Sequence, residues 1–113
     1  VCNVIFVKIN DMFSVIKKIL GIKSIDLVHL IQSGAVIVDV RSKEEFASGH
    51  VKGSINIPLE QIGNNVHTLK KHKQVIVCCR SGSRSGMAKR MLQAKGVNHV
   101  ANGGSWQNVN HYI

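Results

Sequence analysis

Apolar and polar positions follow two different periods along the chain. Met12 to Leu20 spaces Phe13, Ile16 and Leu20 around Lys17 and Lys18 and is closed by Gly21, which predicts an amphipathic helix with a glycine stop. Ser24 is the N-cap signal of a second helix, with Leu27, Leu30 and Ile31 on one face and Gly34 as its stop. The period then changes. Ala35-Val36-Ile37-Val38-Asp39-Val40 is a nearly continuous β-branched run, the pattern of a strand buried on both faces of a parallel sheet. Ser42, with Glu45 three residues on, signals a capping box for a short helix that carries Phe46 inward and stops at Gly49.

Val51 to Ile57 predicts a short extended segment closed by Pro58, and Leu59 to His67 a helical turn or two with Leu59, Ile62 and Val66 inward. Gln74 to Cys78 is a second clear strand. A helix from Gly86 to Lys95 turns Met87, Met91 and Leu92 inward and Lys89, Arg90, Gln93 and Lys95 outward, and stops at Gly96. Val97 to Ala101 predicts a third strand, Gly103-Gly104 a tight turn, and Ser105 the cap of a final helix with Trp106 and Val109. Strands alternating with helices predict an α/β fold, a small, mainly parallel central sheet flanked by helices on both faces. The expected organisation is a tail and amphipathic helix over 1–21 and one domain over 22–113. Met12 is a plausible natural start, with residues 1–11 dispensable; a removed leader upstream of Val1 is the other possibility.

In such sheets, sites lie beyond the carboxyl ends of the strands. Cys79 falls there, where a strand gives way to the loop Arg80-Ser81-Gly82-Ser83-Arg84 and then a helix. Backbone N–H groups of that loop, the positive end of the helix and two guanidinium groups favour the thiolate, whose ordinary pKa is about 8.5. The same donors would hold an anionic substrate. Asp39 and Arg41 reach the same end if their strand runs parallel, and the Gly103-Gly104 turn supplies another wall. Arg84 is expected to shape the loop and its charge, and Arg80 to project to the mouth, either being alternatively a solvated surface charge. Asp39 is expected to fix Arg84 or a loop N–H group, and Arg41 to pair with Glu44 or Glu45. Cys78 should point to the opposite face and be core, the alternatives being a vicinal disulfide or a resolving thiol.

Composition narrows the chemistry. With 113 residues and 44% hydrophobic content the chain makes one core. Its net charge of +9 attracts anions, but scattered lysines, few aromatic residues and the lack of a recognised motif argue against nucleic acid. Three cysteines without framework or zinc spacing fit a reducing compartment. No histidine pair has ligand spacing, so neither metal nor cofactor is expected. Lys8, Asn10 and Asp11 interrupt the apolar N-terminus well short of the ~18 residues of a membrane span.

Four pieces in order resemble a single-domain rhodanese, a sulfurtransferase module, over nearly the whole chain from Ile22. They are Asp39-Val40-Arg41 with Glu44-Glu45-Phe46, Gly49 to Pro58, Cys79 to Ser85, and Asn102-Gly103-Gly104. Family members commonly place a Trp a few residues past the glycine pair, whereas here Ser105-Trp106 follows at once. The resemblance implies that Cys79 takes a sulfane sulfur from thiosulfate or a similar donor, becomes a persulfide and passes the sulfur to a thiol, cyanide or a protein acceptor, as a thiosulfate sulfurtransferase does. Small rhodaneses resembling this chain occur both in the cytoplasm and as exported periplasmic proteins; the expectation is a cytoplasmic protein, or a periplasmic one if a leader has been removed. A related phosphatase class has five residues between its cysteine and arginine; here four lie between Cys79 and Arg84, a ring better sized for one sulfur than for phosphate or arsenate. The remaining alternative is a non-catalytic rhodanese-like module that binds proteins.

Overall fold

The computed structural model describes residues 24–113. The helix expected over 12–21 and the tail before it lie outside the described residues. The described elements are α1 (Ser24–Gln32), β1 (Val36–Asp39), α2 (Lys43–Ala47) and β2 (Ile55–Asn56). A 3-10 stretch, Leu59–Asn65, then runs into α3 (Val66–Lys70), followed by β3 (Val75–Cys79), α4 (Ser83–Ala94), β4 (Val100–Ser105) and α5 (Trp106–Asn110). The strands form one four-stranded sheet in the order β2-β1-β3-β4, with every neighbouring pair parallel. None of the described helices is long and apolar enough to cross a membrane.

The period of two along each strand divides the core between the two faces. Val38, Val40, Val75, Val77 and Cys79 pack with Ile62, Leu69, Ala88 and Leu92, under α3 and α4. Ile37, Ile76 and Cys78 pack with Leu27 and Val109, under α1 and α5. The apolar run of β3, and that of β1 up to Asp39, thus face helices on both sides, as the sequence pattern requires. The segment after Pro58 is longer than a turn or two, because Leu69 continues the inward stripe begun by Leu59, Ile62 and Val66.

Several local expectations change. Helix α4 begins at Ser83 rather than Gly86. Gly82 takes a left-handed φ of 99° and turns the chain so that its carbonyl accepts Gly86 N–H at 3.0 Å. The buried stripe of α4 is therefore Ser85, Ala88 and Leu92, with Met91 partly buried and Met87 45% exposed. Phe46 is half-buried and stacks on His50 with ring centroids 3.7 Å apart. His50 Nδ1 donates to the Phe46 carbonyl at 2.7 Å, so this histidine has the packing and hydrogen-bonding role of a structural residue.

The third predicted strand starts and ends later, and Gly103-Gly104 lies inside it. Register steps from Val77 opposite Asn102 to Cys78 opposite Gly104, which leaves Gly103 as the extra residue of a bulge. A Cβ on Gly103 would come within 2.5 Å of Val109 Cγ2 and 2.9 Å of Ile76 Cγ2. Only glycine lets α5 fold down there, directly after Ser105, whose side chain caps it by accepting Asn108 N–H at 3.1 Å.

The Ser42 capping box of α2 forms as its spacing predicts. Ser42 Oγ accepts Glu45 N–H at 3.3 Å, and Glu45 Oε1 accepts Ser42 N–H at 3.2 Å. Glu45 also clamps Arg84 of α4 through Nη1–Oε1 at 2.7 Å and Nη2–Oε2 at 2.9 Å, joining the segments that follow β1 and β3. Hydrogen bonding from Arg84, then from Ser42 N–H, holds the Glu45 carboxyl down at about 2.

Two predictions follow these contacts. Gly103→Ala should lower stability by roughly 1–3 kcal/mol, read as a lower urea midpoint, because Val109 or Ile76 must move. Glu45 has a folded pKa below its unfolded one, so its contribution is present above the unfolded pKa of about 4.3. That contribution is lost as pH falls toward the folded value of about 2. Since a third of each partner is exposed, Glu45→Gln should cost up to about 1 kcal/mol at neutral pH, with the difference from wild type vanishing in acid titrations of stability.

Candidate active site

From β1 the chain runs outward to β2 and then returns to β3 on the other side of β1. The order therefore switches between β1 and β3, and the crevice beyond their carboxyl ends is the expected ligand position of an open parallel sheet. Residues 39–41 follow β1 there and the Cys79 loop follows β3. Parallel β4 brings Gly104 opposite Cys78 and Ser105 opposite Cys79, so the third segment arrives too.

Cys79 is 1% exposed. Its sulfur accepts Gly82 N–H at 3.0 Å and lies 3.3 Å from Ser85 Oγ. Burial pushes this thiol up. Hydrogen bonding of the ionised form with the Ser85 hydroxyl and with the backbone N–H groups of Ser85, Ser81 and Gly82 outweighs it, and the net pKa lies below the ordinary thiol value. Because Gly82 supplies no side-chain cap for α4, the Ser85 N–H of the first turn is free to serve the sulfur, beside the Ser81 and Gly82 N–H groups that precede the helix. The cradle expected from Arg80 to Arg84 is thus centred on Ser81, Gly82 and Ser85, one residue further along. Ser83 is exposed.

The charged residues pair differently from expectation. Asp39 binds Arg41, with Nη2–Oδ2 at 2.7 Å, Nε to both carboxylate oxygens at 3.0 Å, and Arg41 N–H to Oδ1 at 3.0 Å. Neither Arg84 nor a loop N–H group is its partner, and Arg41 pairs with neither Glu44 nor Glu45. The reason is the face of the sheet. Asp39 shares the face of Ile37, whereas Arg84 belongs to α4 on the opposite face and finds Glu45 over the strand end. Arg41 also donates Nη2–H to the Gly49 carbonyl at 2.6 Å and lies 5.1 Å from the Trp106 ring centroid. The Asp39–Arg41 pair is buried and scaffolds the floor of the crevice. Cys78 packs on that same face, where burial first, then the Asp39 charge, push its thiol up to about 12.

Arg80 is exposed and, with Arg41, Glu45, Ser48, Trp106 and Gln107, lines an open cleft of about 290 Å³. Ser85 and Asn102 complete the sulfur's surroundings. Both stood in the motifs read from the sequence, but their roles depend on helix phase and on the β4 bulge, which spacing alone does not give. Among the described residues no cluster of His, Cys, Asp and Glu side chains is arranged to hold a metal. The arrangement sets the Cys79 sulfur against backbone N–H donors, next in the chain to Arg80 on the cleft wall.

Comparison with known proteins bears on the fold and the family. Thiosulfate sulfurtransferase PspE of Escherichia coli (strain K12) is 38% identical over 74 residues, 64% of this chain and 71% of that protein. A sulfurtransferase of Allochromatium vinosum is 31% identical over 67 residues, and the match spans 59% of this chain and 63% of that protein. A solved rhodanese with anions from E. coli superposes with a TM-score of 0.61 at 36% identity, covering 66% of this chain and 91% of its own. The fold is a rhodanese fold, and the named sulfurtransferases support a rhodanese sulfurtransferase function. A model of the Rhodanese-like domain matches residues 25–110, and with the parallel sheet and cysteine loop in the same order, the chain belongs to that family.

Proposed function

We propose that the protein transfers a sulfane sulfur from thiosulfate or a similar small anionic donor to a thiophilic acceptor through a Cys79 persulfide. The observation that carries this is the Cys79 sulfur against the uncapped first turn of α4, with Gly82 N–H at 3.0 Å and a lowered thiol pKa. The Cys79 thiolate attacks the outer sulfur of thiosulfate. A new S–S bond forms, the S–S bond of thiosulfate breaks, and sulfite departs with its electron pair, so charge balances. The outer sulfur of the persulfide is then taken by a thiol, cyanide or a protein acceptor, and Cys79 returns as thiolate.

The 1% exposure of Cys79 favours a slender donor that arrives end-on, as the terminal sulfur of thiosulfate does. Backbone donors stabilise the anion without reorganising. Arg80 would meet the sulfonate end of the donor, and Ser81, Gly82 and Ser85 would form the cradle, with Ser83 and Arg84 holding the turn between them. Phosphatase chemistry is less well supported, since Arg84 is clamped by Glu45 rather than free to hold a phosphoryl group.

Intact mass before and after thiosulfate, read with sulfite release, tests the reading. The wild type should gain one sulfur atom and release one sulfite, and Cys79→Ser should do neither. Absence of both in the wild type, with its thiol reduced, would point to a different donor or to a protein-binding module. Arg80→Ala should raise KM for thiosulfate by about tenfold, near 1.4 kcal/mol, with a much smaller change in kcat in steady-state assays.

A further inference from the structure

The Ser85 hydroxyl has one proton and two neighbours that can take it. It donates to Asn102 Oδ1 at 2.7 Å, and the Cys79 sulfur lies 3.3 Å away on its other side. Ser85 is fully buried, so water does not satisfy either side. The orientation of the Asn102 amide is fixed by its remaining partners. Nδ2 donates to the Gly82 carbonyl at 3.1 Å, while Oδ1 accepts Gly104 N–H at 3.0 Å. A flipped amide would set donor against donor and acceptor against acceptor. With the Ser85 proton committed to Asn102, the contact between Cys79 and Ser85 in this arrangement is S–H donating to Oγ.

We propose that Asn102 is a positioning residue for the sulfur nucleophile: its Oδ1 holds the Ser85 hydroxyl proton while Cys79 is a thiol and yields it when the sulfur becomes anionic, while its Nδ2 keeps Gly82 over the sulfur. On ionisation the thiol proton leaves to solvent, and the Ser85 hydroxyl rotates from Asn102 Oδ1 to the sulfur without breaking its own O–H bond. Oδ1 keeps the Gly104 N–H, so the rotation leaves no buried acceptor empty. The Gly82 N–H bond to sulfur stays in place throughout, held by Asn102 through the Gly82 carbonyl. When an acceptor attacks a loaded sulfur, Cys79 leaves as thiolate and the hydroxyl is again ready to meet it.

The bulge at Gly103 is what makes this arrangement possible. It advances β4 by one residue between Asn102 and Gly104, so that the side chain of the first and the N–H of the second meet beside the Cys79 loop. Other charged groups near the sulfur are already engaged. From β3 comes Cys78, with its raised pKa; from β1 and the segment after it, the Asp39–Arg41 pair and Glu45; from α4, Arg84, which Glu45 holds. Arg80 lies at the exposed mouth, and β4 carries no titratable side chain.

The proposal rests on Cys79 as the transferring sulfur, but its test reads proton positions and needs no sulfur donor, so the two readings fail separately. Cys79 ionisation is followed by site-resolved alkylation with iodoacetamide across pH, and the Asn102 side-chain amide and Gly104 backbone amide by NMR over the same range. Both amide signals should titrate at the alkylation midpoint in the wild type and stay flat in Cys79→Ser. Asn102→Asp, whose carboxylate retains the Ser85 proton and cannot donate to Gly82, should raise the midpoint by about one unit, a tenfold loss of thiolate below it. That rise should shrink when Ser85→Ala is added. Flat amide signals in the wild type would overturn the proposal, and so would an Asn102→Asp effect of equal size with and without the Ser85 hydroxyl. If Asn102→Asp does not fold, the wild-type titration decides alone.

Discussion

Helix α4 starts at Ser83 with no side chain over its free N–H groups, and the sulfur of Cys79 occupies the place of the missing cap. An α-helix leaves its first N–H groups without internal partners, and burying them unsatisfied is costly. Here the demand of the helix and the chemistry of the thiol are met by one contact. Gly82 places its N–H on the sulfur and must be left-handed for α4 to begin immediately afterwards, and β4 must approach closely enough for Asn102 to hold the Gly82 carbonyl. Burial and hydrogen bonding pull the thiol in opposite directions, and the hydrogen bonds prevail.

Side-chain charge plays a smaller part than the arginine-rich loop suggests. Arg84 and Arg41 each have a carboxylate of their own, on opposite sides of the sheet, so their charges are largely spent on holding segments together. The Asp39–Arg41 pair is deeply buried and fixes the loop after β1, with Asn56 Nδ2 adding bonds to the carbonyls of Asp39 and Arg41. The donors that meet the sulfur itself are oriented backbone dipoles. Such dipoles are fixed by the fold and weakly screened by salt, unlike exposed lysine and arginine side chains.

What was legible in the sequence was what depends on neighbours in the chain. The capping box needs only Ser42 and Glu45 three residues apart, and β1 and β3 declare themselves by apolar runs, broken in β1 only by Asp39. The position of Cys79 at the end of a strand, facing away from Cys78, follows from the same runs. What was not legible depends on register and face. Nothing local marks Gly103 as a bulge rather than half of a turn, because its reason lies in Ile76 and Val109. Asp39 and Arg84 carry complementary charges, yet the sheet separates them. The start of α4 was hidden because Ser and Gly are poor helix formers in isolation, and only contact with the sulfur and β4 makes the first turn worth forming.

Consecutive residues of a strand look out on opposite sides of a sheet, and Cys78 and Cys79 do so at the end of β3. Joining their sulfurs would require the strand to abandon its pairing with both β1 and β4. Cys78, moreover, is a poor nucleophile, held neutral at about 12. Among the described residues, then, no second thiol is placed to discharge Cys79 once its sulfur has been oxidised or loaded. On the proposed reaction, the described residues leave the lifetime of such a state to be set from outside, by how often a reductant or sulfur acceptor reaches the cleft. The supply of that acceptor would then act as the clock of the proposed reaction.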